Sequence, residues 1–142
     1  RFWTSDRRAQ HGLQDEPSPC YTCFQDQDDA DHILSRCTYA QEVWCTIWDN
    51  TRLEVSGSRP TDTTLQWWLK ERETYHRTEK RGFDTLFIAT IWALWKQRNA
   101  RVYNRTEQQR RPREVATMIL AELAKWKQAA GGVGGLQRFV RE

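Results

Sequence analysis

Cys20, Cys23, His32 and Cys37 spell C-x2-C-x8-H-x4-C within 18 residues. Three thiols and one imidazole are the donor set of a tetrahedral zinc site. Four protein ligands close such a site and leave no position for an activated water. The chemistry expected is therefore structural: one Zn2+ that staples the surrounding chain. In small zinc peptides the metal contributes on the order of 10 kcal/mol to folding. The competing use of the four cysteines is two disulfides. The correctly spaced His32, with no secretory signal visible, favours metal and a reducing, intracellular setting, cytoplasm or nucleus. Cys45 is left over between Trp44 and Trp48. It reads as a small buried side chain. His11 and His76 have no partner in sequence and read as surface residues.

The elements that must position these ligands can be read from capping and periodicity. Thr4-Ser5-Asp6 can cap a short helix to about Gln10 or His11, with Gly12 as its left-handed terminator. Pro19 and the first Cys pair make a metal knuckle. Asp28 to Asp31 form an acidic helix start, which the helix dipole favours. His32 lies on that helix and Cys37 near its end. Val43, Trp44, Ile47 and Trp48 make one apolar stripe on a helix from Tyr39 to about Asp49. Ser56 to Pro60 is the clearest linker. Thr63 or Thr64 can cap a short helix bearing Trp67 and Trp68. Residues 71 to 81 read as an exposed connection or solvated helix start. A long helix, roughly 82 to 104, carries Phe83, Leu86, Phe87, Ile91, Leu94, Trp95 and Val102. Pro112 suits a first helical position. Val115, Met118, Ile119, Leu123 and Trp126 mark a last amphipathic helix. The expected organisation is a zinc-finger subdomain over 1–55, a linker with a short Trp helix over 56–81, two long helices over 82–130, and a flexible Gly-rich tail over 131–142. The fold class is all-α, with few or no strands.

Composition narrows the function. Eight Trp, five Phe and four Tyr imply a compact aromatic core. The net charge is only +3, but it is unevenly placed. Asp15 to Asp31 holds six acids and no base; Lys96 to Arg113 holds seven bases and one acid. Any nucleic-acid footprint therefore belongs to the later segment. Arg98, Arg101 and Arg105 fall at i, i+3 and i+7, one helical face that can meet phosphates, with Tyr103 placed to stack on a base. Lys96, Arg110 and Arg111 extend the set. The other reading is a solvated basic face over a Trp-rich core. Asn99 can bond to a neighbouring loop. The longest apolar run, Leu86 to Trp95, is about half a membrane span. No nucleophile–base series, phosphate loop or carboxylate cluster with metal spacing stands out, so no enzyme activity is expected.

Several runs together resemble a known family. They are Trp3 to Arg8 through Gly12-Leu13, Pro19-Cys20 with Cys23, Asp31 to Leu34 with Cys37, and Glu42-Val43-Trp44. Gly82-Phe83-Asp84, Ile91 to Lys96, Arg98 to Val102 and Trp126 with Ala129-Ala130-Gly131 continue the series. The chain is similar to the plant reverse-transcriptase zinc-binding domain, which follows the polymerase in LINE-type non-LTR retrotransposon polyproteins. Arg8 stands where the family often has Leu, and Asp29-Ala30 where it often has Glu-Thr. The resemblance implies that Cys20, Cys23, His32 and Cys37 are the ligands and that polymerase and nuclease chemistry lie elsewhere in the parent protein. It implies RNA or DNA and the other reverse-transcriptase regions as partners. A protein-interaction module, from a domesticated or fused fragment, is the alternative.

Overall fold

The computed structural model describes residues 3–14, 16, 18–51 and 62–129. The expected linker around Gly57 and the Gly-rich tail lie outside the described residues. Within them the chain is all-α: five α-helices and no strand, with one isolated antiparallel bridge between Pro19 and Gln27. No described helix is long and apolar enough to cross a membrane.

Helix α1 spans Ser5–Gln10 and stops at Gly12, whose φ of +70° is the left-handed conformation that glycine adopts without strain. Thr4 is the N-cap, but its hydroxyl donates to the Asp6 carboxylate and does not accept from the backbone. A π-helical turn, His32–Arg36, leads into α2, Thr38–Asp49. Helix α3, Thr64–Arg72, starts at a capping box: the Thr63 hydroxyl accepts from Gln66 N–H while the Gln66 side chain accepts from Thr63 N–H. Helix α4 is longer than its apolar pattern, Arg77–Val102. Its first turns are Arg, Thr, Glu and Lys, residues with adequate helix propensity and no apolar period. Lys80 on them reaches back to Glu73, 3.6 Å away. A 3-10 turn at Thr106–Gln108 precedes α5, Pro112–Ala129.

One hydrophobic cluster joins the cysteine loop and helices α2 to α5. It runs from Cys20 and Cys37 through Val43, Trp44 and Ile47 of α2, Trp67 of α3 and Phe83, Phe87 and Leu94 of α4 to Val115 and Leu123 of α5. Helix α5 packs on α2 as well as on α4, so the cysteine-containing half and the long helices share a core. Trp44 is its hub. Its ring lies edge-on to Trp67 at 5.0 Å, stacks on Trp48 at 5.2 Å and meets Phe87 at 4.8 Å. Its indole N–H donates to the Leu34 carbonyl at 2.9 Å, so the polar edge of the ring is satisfied where it is buried.

Candidate metal centre

The knuckle is built by backbone hydrogen bonds. Asp28 N–H donates to the Ser18 carbonyl and Phe24 N–H to the Cys20 carbonyl, both at 2.9 Å. Phe24 takes a φ of +61°, which turns the chain back after Cys23. The second ligand pair comes from the π-helical turn. Cys37 N–H donates to the His32 carbonyl at 2.7 Å, an i to i+5 bond. In an ordinary α-helix, residues five apart point roughly 140° away from each other. The wider turn brings positions 32 and 37 toward one side, which explains why a π turn sits at a site. The Asp29 carboxylate accepts from His32 N–H at 2.9 Å and so anchors the start of that turn.

The four ligand atoms converge. One donor each from Cys20, Cys23, His32 and Cys37 lies within 4.8 Å of every other. The Cys20 and Cys37 sulfurs are 3.8 Å apart, and Cys23 Sγ is 3.2 Å from His32 Nε2. A tetrahedral ion with metal–sulfur bonds of about 2.3 Å places its sulfurs about 3.8 Å apart. A disulfide would need about 2.05 Å. All four cysteines are free thiols, so the disulfide alternative is not the arrangement adopted. The residues fit one metal ion with a closed ligand set. Nε2 of His32 is the inward nitrogen. Nδ1 lies 3.7 Å from the exposed Asp26 carboxylate, an electrostatic neighbour and not a hydrogen bond.

The convergence of Cys20, Cys37 and His32 couples their protonation. The contact with Cys37 draws the Cys20 thiol far toward thiolate, while the same contact and burial push Cys37 up. These are two faces of one shared proton. Hydrogen bonding to the Cys20 and Cys23 sulfurs raises His32 to about 9. A binding metal ion must displace these protons, so affinity falls in acid.

Two residues at the centre were not expected. Thr22 Oγ1 lies 3.0 Å from Cys20 Sγ and 3.2 Å from Cys37 Sγ. A hydroxyl inside a Cys-x-x-Cys loop was the available signal. Asp28 is the other. It does not belong to an acidic helix start: it is fully buried in the loop before the helix. Its carboxylate accepts from Ser5 N–H at 2.7 Å and from Arg98 Nη2 at 2.6 Å. Cys45 is exposed, not buried. Each helical residue turns about 100°, and position 45 falls off the stripe that buries Val43, Trp44 and Ile47.

The expected arginine face is also revised. Arg98 is 4% exposed and is committed to Asp28, so it is not available to phosphates. Its guanidinium lies over the Trp95 ring and the Tyr21 ring, 5.0 and 5.4 Å from their centroids. Asn99 meets Arg98 and not a loop: its Oδ1 accepts from Nη1 at 2.9 Å. Arg101 donates to the Gln97 carbonyl and side chain and to the Arg110 carbonyl, and stacks on Tyr39. Arg110 turns back to the Glu107 and Gln109 carbonyls. Lys96, Arg105 and Arg111 are exposed, as is Tyr103, with the Arg105 guanidinium 5.3 Å from its ring centroid. The open basic surface therefore centres on the α4–α5 connection, and Lys96 is the exposed cation of the expected set that remains on α4.

Comparison with protein-family models, curated proteins and solved structures finds no match to this chain.

Proposed function

We propose that this chain is a non-catalytic zinc-binding module that binds RNA or DNA as part of a LINE-type reverse-transcriptase polyprotein. The observation that carries the nucleic-acid reading is the α4–α5 connection. There an exposed Tyr103 under Arg105 is joined by exposed Arg111, with exposed Lys96 on α4 and Arg113 on α5 flanking the connection in sequence. Cations that follow a backbone beside a stacking ring are what a single strand needs. The resemblance described above supports the polyprotein setting, and the sulfur-rich closed ligand set supports Zn2+ with a stapling role.

The test is binding to a short single-stranded RNA and its DNA counterpart over a salt series. Three or four phosphate contacts should give a log–log slope of about −2 to −3 for a single strand. No binding at low salt overturns the reading.

A second reading, a protein-interaction module, is favoured by one feature. A groove of about 380 Å³ runs between α4 and α5 over Ala89, Ala93 and Ile119. Trp92, Met118 and Trp126 on its walls are 55%, 56% and 42% exposed. A saturable protein partner that survives reversal of the α4–α5 charges and no longer binds after Trp92→Ser would favour this reading.

A further inference from the structure

The three thiol ligands are unequal. Cys20 and Cys37 have no accessible surface, whereas Cys23 is half-buried. Both buried sulfurs sit against the Thr22 hydroxyl, at 3.0 and 3.2 Å. The two buried sulfurs also face each other, 3.8 Å apart. Among the described residues, the polar neighbour of the Cys23 sulfur is His32 Nε2, itself a metal-facing atom. The next residue in sequence, Phe24, is 73% exposed.

Hydrogen-bond donors around a metal site tune the ligands they touch. A donor aimed at a thiolate withdraws electron density and lowers its nucleophilicity. Reactive cysteines are accessible thiolates; buried ones are inert. Burial acts on both Cys20 and Cys37, and the one hydroxyl proton of Thr22 is within reach of either sulfur; Cys23 is less buried and lies apart from that hydroxyl's contacts.

We propose that Cys23 is a modification site, the ligand at which soft electrophiles of the Michael-acceptor class attack the metal-loaded cluster, and that Thr22 shields Cys20 and Cys37. This rests on the metal reading above. In the step, a Cys23 Sγ lone pair forms a bond to the β-carbon of the acceptor. The alkene π pair moves toward the carbonyl as an enolate, which takes a proton from water and leaves hydroxide. The sulfur becomes a neutral thioether, its bond to the metal breaks, and the ion departs as M2+ with no change of oxidation state. The site thus opens at its accessible corner.

The experiment uses the full chain, with metal content measured first. Protein is treated with substoichiometric N-ethylmaleimide, adducts are mapped by peptide mass spectrometry over time, and metal release is followed with a chromogenic chelator. Exposed Cys45 serves as the internal standard for a free thiol. The expected order among the ligands is Cys23 first, in step with metal release, then Cys20 and Cys37. Thr22→Val should weaken metal affinity by about tenfold or more and narrow the gap between Cys23 and the other two. Thr22→Ser should keep the wild-type order, and it decides the role of the hydroxyl if the valine variant fails to fold. Adducts on Cys20 or Cys37 ahead of Cys23 in metal-loaded protein overturn this inference alone. Natively purified protein without metal overturns the metal reading beneath it.

Discussion

Arg98 and Asp28 are 70 residues apart in the chain and form a bidentate ion pair inside the protein. Nη2 donates to Oδ2 at 2.6 Å and Nε to Oδ1 at 3.2 Å, with the side chains 4% and 0% exposed. The pair ties the loop between the candidate metal ligands to the C-terminal part of α4. The same carboxylate accepts from Ser5 N–H, so α1 is held at the same point. Such a pair is costly to break from one side, because the remaining charge stays buried.

Asp28→Ala or Arg98→Met should therefore destabilise the protein by roughly 3–5 kcal/mol each. The double variant should recover part of that loss, since no lone charge remains. Urea denaturation of the four proteins measures it. Arg98→Lys should fare worse than its charge suggests, because an ammonium cannot reproduce the two parallel bonds. Single variants within about 0.5 kcal/mol of wild type, the usual surface range, would show that the pair contributes little.

Cys37→Ser should release the metal and lower the thermal melt, as should a strong chelator. The loss should spread beyond the knuckle, because Cys20 and Cys37 belong to the same core cluster as Trp44 and Leu123. Elemental analysis and calorimetry on the same samples check it. Unchanged metal content would remove Cys37 from the ligand set.

Charge reversal at Arg105 and Arg111 should weaken RNA or DNA binding and flatten its salt dependence. The slope should fall by about 0.7 for each phosphate of a single strand that is no longer neutralised. Both side chains are exposed, so the fold should be unaffected. The same reversal at Arg98 would unfold the protein and mimic a binding defect. Circular dichroism beside the binding assay separates these outcomes.

Alkaline pH should expose Tyr39. Burial raises its phenol above the usual 10.0, and its hydroxyl donates to the Arg110 carbonyl at 2.6 Å. In the unfolded chain the phenol ionises near 10, while in the folded protein it stays neutral to higher pH. Its contribution is thus fully present below pH 10 and is lost as pH rises through the folded value. Melting temperature between pH 9 and 11 should fall more steeply in wild type than in Tyr39→Phe. Equal slopes would contradict it.

The sequence by itself determined what is local. C-x2-C-x8-H-x4-C named all four side chains that converge, because ligand spacing in a knuckle and one helical turn is set by a few adjacent residues. The stripe of Val43, Trp44 and Ile47, the Thr63 cap, Gly12 and Pro112 set helices close to where they are found. Periodicity also marked Arg98 as part of a helix face, but it could not say what lies opposite. That was decided by packing. A charge can be solvated or buried, and the choice depends on whether a partner arrives from elsewhere in the chain, here from a loop 70 residues earlier. The same reason centred the open basic surface on the α4–α5 connection and placed the Thr22 hydroxyl against two sulfurs. Spacing selects the ligands; the tertiary structure sets which of them are sheltered and which cations remain free.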